Sequence, residues 1–391
     1  MVAAAAASVF VMATACGEVG GGSDTTTLKV ANFLGSDSSV AGGFAAWESA
    51  ITEATNGAVT FKNFDSGSLL GPTEQLQGVK SGVADVGLVV PSYYPQDLPV
   101  NNWIQGMGAA VSASPVRALT GDAFAAYQFS VENEQVRDEY LSQGLIPLGT
   151  FASPAYHPNC SKAVTGPSEA QGLKARTSGN LWSAPVEAMG MTTVSVAYDE
   201  LYEALERGVV DCGINSFAGT YEQGFADVAP HLVPITLPQT PNAMFVFNKD
   251  AWDRLDPAVQ QAISDASSAL IRGSAERQLE IVQEGAKTLI GKKLTVDDPG
   301  TLGDIAAAAA KKWLASMADR APDSVDNPAQ VITQYQAMLD HWSGVMDELG
   351  YPEPANVDQF VDAYVTAKDT DLGPVFERLD AEVHANLVNP R

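Results

Sequence analysis

Residues 172–216 contain a strand–helix–strand pattern, which constrains the fold of this chain more than any other segment. The run TTVSVAY carries apolar side chains at alternate positions, and this period is typical of a β-strand. The following run DELYEALERG places Leu201 and Leu205 four residues apart on one helical face, and Gly208 is suited to end that helix. VVDCGIN then predicts another short strand. Alternating strands and helices indicate an α/β fold with parallel strands.

A single arginine, Arg176, closes the run GLKAR at the predicted end of a strand in the same segment. Open α/β sheets bind ligands at the carboxyl ends of their strands, and a guanidinium matches a carboxylate with two parallel hydrogen bonds. We therefore predict that Arg176 binds a ligand carboxylate. The alternative is a structural ion pair at the surface, which is the common role of an arginine.

The length and charge of the chain limit its class. A chain of 391 residues exceeds one ordinary hydrophobic core and suits two lobes. Its 22 basic and 47 acidic residues give a net charge of −25, which argues against a nucleic-acid partner because such a partner needs a basic surface. An acidic protein that binds an acidic ligand needs positive charge at the binding site, and Arg176 would supply it.

Motifs of common enzyme and cofactor sites do not occur in the sequence. HExxH, CxxC, GxGxxG, P-loop and SxxK patterns are all missing, and no serine is flanked as in a nucleophile elbow. The four histidines show no metal-ligand spacing: His157, His231, His341 and His384. We expect no metal and no cofactor, and we favour a binding protein over an enzyme.

Several short motifs, in their order and spacing, resemble those of the substrate-binding proteins of tripartite ATP-independent periplasmic (TRAP) transporters. They are GLKAR, AYDELYEAL and GVVD with Asn215 four residues further on. Cys212 stands where the family pattern has glycine. GSLLGPTEQLQGVKSGVADVGLV upstream and HLVPITLPQTPNAMFVFNKDAWDRLDPAVQQAISDA downstream extend the resemblance, which covers about residues 28–289.

The resemblance implies a two-lobed fold of the periplasmic-binding-protein type. We expect lobe I to comprise residues 28–151 and 247–272, and lobe II residues 152–246 and 273–300. A long helix with Pro257 in its first turn is expected to cross both lobes as far as Leu289, with Gly273 as its bending point. Residues 301–391 are expected to form extra helices packed on the lobes.

The resemblance also implies a set of ligand contacts around Arg176. Asn215 would add a neutral hydrogen bond from the next strand end, and Tyr198 matches an aromatic family position, with plain core packing as its alternative. His157 is a further candidate, with an exposed loop histidine as the alternative. The remaining candidates follow predicted strands in other segments: Asn32, Ser92, Tyr93 and Tyr156.

The function implied by this family is that of an extracytoplasmic receptor. It would capture an organic acid by lobe closure and deliver it to integral-membrane TRAP permease subunits, as a monomer. Three alternatives remain open: the binding protein of an ATP-driven importer, a signalling receptor, and an extracytoplasmic enzyme.

The N-terminal run MVAAAAASVFVMATAC resembles the end of a lipoprotein signal peptide. We expect residues 1–15 to be the signal peptide, Cys16 to be lipidated, and residues 16–27 to form a flexible tether. The protein would then be anchored by lipid to the outer face of the cytoplasmic membrane or lie in the periplasm. The alternative is a cleaved secretory signal with an incidental cysteine. The run lacks the basic residues that usually begin such a signal.

Cys160 and Cys212 leave two alternatives open. An exported protein tolerates a disulfide, but of the two alternatives we slightly favour two separate buried thiols.

Overall fold

The structure is a computed structural model that describes residues 25–177 and 179–384. Cys16 and the signal peptide expected before it lie outside the described residues. The described strands are β1 (Thr26–Ala31), β2 (Val59–Phe64), β3 (Val86–Val89), β4 (Leu145–Phe151), β5 (Tyr156–Cys160), β6 (Lys174–Thr177), β7 (Thr192–Ser195), β8 (Cys212–Ser216), β9 (His231–Leu232), β10 (Ala243–Asn248) and β11 (Thr295–Val296).

The helices of the described residues surround these strands. They are α1 (Ser39–Ala54), α2 (Gln75–Lys80), α3 (Pro99–Ile104), α4 (Pro115–Arg117), α5 (Ala123–Glu132), α6 (Glu134–Ser142), α7 (Pro167–Ala170), α8 (Asn180–Ala188), α9 (Leu201–Glu206), α10 (Phe217–Glu222), α11 (Lys249–Trp252), α12 (Pro257–Asp265), α13 (Ser267–Leu289), α14 (Leu302–Ala315), α15 (Pro328–Glu348), α16 (Val357–Val365) and α17 (Gly373–Glu382).

The first sheet has the strand order β2-β1-β3-β10-β4. Strands β1, β2 and β3 are parallel, whereas β10 is antiparallel to both of its neighbours. Strand β3 is buried along its whole length, as its continuous apolar run predicts. Pro147 lies in β4, the edge strand, where the missing N–H of a proline is tolerated. Strand β10 returns the chain to this sheet, because it pairs with β3 and β4.

The second sheet has the strand order β11-β9-β5-β8-β6-β7. The strand–helix–strand unit that the sequence predicts is present as β7, α9 and β8, and β6 lies between its two strands and parallel to both. Arg176 lies in β6 opposite Val194 of β7 and Gly213 of β8. The two sheets make the protein a two-lobed α/β fold, as predicted.

Helix α1 packs along α13. Ser38 caps the N-terminus of α1, because its hydroxyl accepts a hydrogen bond from the Ala41 N–H at 3.2 Å. Phe44, Trp47 and Ile51 form the buried face of the helix, at the spacing the sequence predicts.

The predicted long helix is divided in two, so the prediction of one continuous helix from Pro257 is wrong. Helix α12 ends at Asp265, and α13 begins at Ser267. The Ser264 hydroxyl donates to the Gln260 carbonyl at 3.0 Å just before the break, and bonds of this kind bend helices. Helix α13 alone still reaches both lobes, because its 23 residues span about 35 Å.

Four helices of the described residues after residue 300, α14 to α17, pack on this frame, as predicted. Arg117 of α4 is buried and anchors the end of α15 through its guanidinium. Its Nη1 donates to Asp347 Oδ1 at 2.7 Å and to the Tyr351 carbonyl at 2.8 Å, and its Nη2 donates to Ser343 Oγ at 3.0 Å. Within residues 25–177 and 179–384, no helix combines the length and hydropathy needed to cross a membrane.

Cys160 and Cys212 form a disulfide in the structure. The two residues are direct neighbours on the antiparallel strands β5 and β8, and both are buried. The alternative of two separate thiols is therefore wrong for this fold. The bond ties together the two central strands of the second sheet.

Candidate functional site

A cavity of about 90 Å³ lies between the two sheets. Phe33, Leu88 and Tyr93 belong to the first sheet's side of its lining, and Arg176, Tyr198 and Glu222 to the second sheet's side. Its wall follows the carboxyl ends of β1, β3 and β6, which is where open α/β sheets bind ligands.

Arg176 is the basic residue of the cavity, and only 1% of its surface is exposed. Its Nε donates to the Val196 carbonyl at 2.8 Å, which fixes the orientation of the guanidinium plane. Its Nη2 is buried and has no hydrogen-bond partner among the described residues. A buried donor without a partner costs free energy, and a buried charge costs more. An anion in the cavity would remove that cost.

Two tyrosines lie beside the guanidinium. The centroid of the Tyr198 ring is 5.7 Å from Arg176 Cζ. Burial raises the pKa of Tyr198 well above its usual value, and burial also raises the pKa of Tyr93 despite the opposing charge of Arg176. Both phenols are therefore neutral at physiological pH and retain a hydroxyl proton for a ligand oxygen.

Tyr156 completes the aromatic lining from β5. Its ring stacks on Trp182 with centroids 5.3 Å apart and planes 21° from parallel. Its hydroxyl lies 3.3 Å from Thr240 Oγ1, another cavity residue. The structure thus brings four of the predicted site residues to one cavity: Arg176, Tyr93, Tyr156 and Tyr198.

The other predicted contacts do not line this cavity. Asn215 is buried, and neither of its amide atoms has a hydrogen-bond partner among the described residues. The Ser92 hydroxyl is likewise buried without a described partner. Asn32 donates to the Asp65 carboxylate at 3.0 Å and accepts from the Leu34 N–H at 3.0 Å, so it shapes the loop after β1.

His157 lies on the opposite face of β5 from Tyr156, because consecutive strand residues alternate between faces. Its Nδ1–H donates to the Ile235 carbonyl at 2.6 Å, and its Nε2 accepts from the Tyr364 hydroxyl at 2.7 Å. Complete burial lowers the pKa of His157 to about 4. The structure therefore makes it a neutral, fully hydrogen-bonded residue of the interior.

No pattern in the sequence marks Glu222, a cavity residue at the end of α10. One of its carboxyl oxygens, Oε1, accepts from the Ser39 N–H at 3.1 Å, and Ser39 begins α1 on the other side of the cleft. Burial raises the pKa of Glu222 to about 7. A chain with 47 acidic residues offers no local pattern that separates this carboxyl group from the others.

Two lobes that enclose a cavity with a buried cation define the class of two-lobed solute-binding proteins. Residues 30–319 match the DctP model, described as bacterial extracellular solute-binding protein, family 7. The match covers well over half of the chain, and the chain belongs to this family. It is a family of solute-binding proteins, and its members are extracytoplasmic.

Two relatives and one solved structure show how similar the chain is to known proteins. A solute-binding protein of Verminephrobacter eiseniae is 33% identical over 141 residues, which are 36% of this chain and 42% of that protein. The C4-dicarboxylate-binding periplasmic protein DctP of Rhodobacter capsulatus is 22% identical over 67% of this chain and 78% of its own length. The chain thus spans less than half of the first relative.

The solved structure is a TRAP periplasmic solute-binding protein of Bordetella bronchiseptica with bound (R)- and (S)-mandelate. Its TM-score is 0.69 at 22% identity, and the match covers 81% of this chain and 99% of that chain. At this identity the likeness shows the two-lobed fold.

Proposed function

We propose that this protein is an extracytoplasmic receptor that captures a small organic acid between its lobes and delivers it to a TRAP-type secondary transporter. One observation carries the proposal: the Nη2 of Arg176 is buried at the cavity and has no partner among the described residues. A ligand carboxylate supplies the missing acceptor and the opposite charge. The Bordetella relative binds mandelate, which is also a carboxylate.

The contacts of the ligand follow from the lining. Arg176 holds the carboxylate, while the neutral hydroxyls of Tyr93 and Tyr198 donate to its oxygens, and the Tyr156 ring packs against its apolar part. The unpaired amide of Asn215 and the unpaired hydroxyl of Ser92 support a role for both in the liganded state. His157 and Asn32 already use their polar atoms within the protein, so we assign them structural roles.

The cavity restricts the size of the acid. A water molecule needs roughly 10–15 Å³ of such space. A cavity of about 90 Å³ therefore suits a ligand of roughly six to nine non-hydrogen atoms. Entry of the ligand then requires the lobes to open and close again.

Such a motion would move lobe I (residues 28–151 and 247–272) against lobe II (residues 152–246 and 273–300). The Ser39–Glu222 bond joins the two sides across the cavity, so it forms when the lobes close.

The closed form would dock as a monomer on the integral-membrane permease subunits. Lipidation of Cys16 would hold it near them, and the intact mass of the native protein tests that attachment.

Mass spectrometry of the small molecules released by denaturing the purified protein tests the function. We expect a carboxylic acid, and we expect calorimetric titration of that acid into refolded, ligand-free protein to show one saturable site. Recovery of the same acid unchanged after long incubation separates a receptor from an enzyme. Release of a compound without a carboxylate, or conversion of the acid to product, would contradict the proposal.

A further inference from the structure

The cavity holds a second ionisable side chain, on the wall that also carries Arg176. Among the described lining residues, Arg176 supplies the one basic group and Glu222 the one carboxyl group. The two do not form an ion pair within 4.0 Å in the part of the chain that the structure describes. The guanidinium and the carboxyl group can therefore each interact with a ligand in the cavity.

The position of the Glu222 carboxyl group is fixed by the helix that faces it. Its Oε1 accepts from the Ser39 N–H in the first turn of α1, a helix of 16 residues. No described residue donates a hydrogen bond to its Oε2. The second oxygen can therefore accept from a ligand while the first remains on α1.

The surroundings of Glu222 do not neutralise it with a close cation. Burial and the charge of Asp37 raise the pKa of Glu222, whereas the Ser39 N–H and the charge of Arg277 lower it. The carboxyl group accepts hydrogen bonds in its ionised form and through its carbonyl oxygen when protonated. When protonated, however, its O–H can donate to an anion, so it is the ionised form, which prevails above about pH 7, that favours a ligand donor over a second ligand anion.

We propose that Glu222 selects an acid with a single carboxylate that also carries an N–H or O–H donor at its far end, and that it rejects dicarboxylates. This inference rests on the proposed function, since it takes the ligand carboxylate to lie on Arg176. A second carboxylate of the same ligand would meet the ionised Glu222 carboxyl group, and like charges brought together oppose binding. An ammonium, ring N–H or hydroxyl at that end would instead donate to Oε2.

Acids matched in length test the proposal. The set contains 4-aminobutyrate, 4-hydroxybutyrate, butyrate and succinate, together with the corresponding acids of three and five carbons and the acid released by denaturation. Each is titrated by calorimetry into refolded, ligand-free, full-length protein above pH 7, where the Glu222 carboxyl group is mostly ionised. We expect the donor-bearing monocarboxylates to bind on the order of 100-fold more tightly than the dicarboxylate of the same length.

The variant Glu222→Gln isolates the carboxyl group. Its amide oxygen still accepts from the Ser39 N–H, while its amide N–H₂ now donates into the cavity. We expect this variant to bind donor-bearing acids more weakly and the matched dicarboxylates more tightly, so that the preference falls to less than about tenfold.

Glu48→Gln is the matched control. Glu48 lies on α1 outside the cavity, and burial raises its pKa to about 7 as well. This variant should keep the full preference of the unaltered protein. If the loss of any half-buried carboxyl group reduced the preference for donor-bearing acids, both variants would show the same reduction.

The outcomes separate the two proposals. Tighter binding of dicarboxylates by the unaltered protein, or a preference that Glu222→Gln leaves intact, overturns the role of Glu222 and leaves the receptor function standing. A failure of every acid to bind overturns both, because no carboxylate then occupies the cleft.

Discussion

The Nε2 of His157 and the hydroxyl of Tyr364 lie 2.7 Å apart, so a C-terminal helix is hydrogen-bonded directly to the central part of the second sheet. The hydroxyl donates this bond, because the Nδ1–H of His157 is already directed at the Ile235 carbonyl. Both side chains are fully buried, and the Tyr364 ring also packs on Phe217 of α10. Helix α16 is thus packed into the second lobe and hydrogen-bonded to its sheet.

We expect Tyr364→Phe to lower the free energy of unfolding by about 1–3 kcal/mol, because it leaves the buried Nε2 of His157 without a donor. His157→Ala should cost about 2–5 kcal/mol, because it removes a buried ring and leaves the Ile235 carbonyl unpaired. Urea unfolding measures both. Ligand affinity should stay unchanged, since neither side chain lines the cavity. A large loss of affinity with normal stability would return His157 to the ligand site.

The same histidine makes stability depend on pH. Burial lowers the pKa of His157 to about 4, so between about pH 4 and pH 6.5 the unfolded chain binds the proton more readily than the folded protein. The free energy of unfolding therefore falls as the pH drops through this window, by about 1.4 kcal/mol per pH unit from this group alone. Above pH 6.5 its contribution is constant.

Buried carboxyl groups oppose this trend, so the His157 contribution has to be isolated. Burial raises the pKa of Glu48, Asp122 and Glu222 to about 7, and each of them favours the folded state at low pH. We expect the stability difference between the unaltered protein and His157→Gln to change with pH below 6.5. Tyr364→Phe retains the imidazole and should keep the slope of the unaltered protein. Parallel pH profiles for His157→Gln and the unaltered protein would contradict the assignment.

The position of Arg176 could be predicted from the sequence, because strand periodicity and the carboxyl-end rule depend on a short segment. The placement of Glu222 could not, because its contact with Ser39 joins residues 183 positions apart in the chain and exists only when two lobes meet. The sequence predicts both Tyr156 and His157 as ligand contacts. Because they are neighbours on one strand, their side chains face opposite sides of the sheet and cannot both line the same cavity. The break between α12 and α13 falls at Ala266, and the apolar periodicity does not report it.

Arg176→Ala is expected to weaken binding of the identified acid by roughly 2–5 kcal/mol, because the ligand carboxylate then lies in the cleft without its partner. Arg176→Lys keeps the charge but loses the planar fork, so it should recover only part of the affinity. Calorimetry with the acid and thermal unfolding of each ligand-free variant measure the two effects. Undiminished affinity in Arg176→Ala would place the carboxylate elsewhere, and failure of both variants to fold would make Arg176 a structural residue.

Gly273 of α13 makes a close helix contact, and this differs from the bending role expected from the sequence. A Cβ atom at this position would lie 2.6 Å from Ala46 Cβ and 2.7 Å from the Gly42 carbonyl oxygen, both in α1. Gly273→Ala should therefore force α1 and α13 apart and lower the free energy of unfolding by about 1–3 kcal/mol.

The matched control is Gly344→Ala in α15, where a Cβ atom would meet nothing within 4 Å. There the same substitution should raise the free energy of unfolding by about 0.5–1 kcal/mol, because alanine favours the helical backbone. Urea unfolding of both variants gives opposite signs if close packing requires the glycine at 273. A stabilising effect of Gly273→Ala would show instead that the α1–α13 contact has room for a methyl group. The need for glycine at this position would then lie in helix bending during lobe motion, which small-angle scattering of the variant with and without ligand would measure.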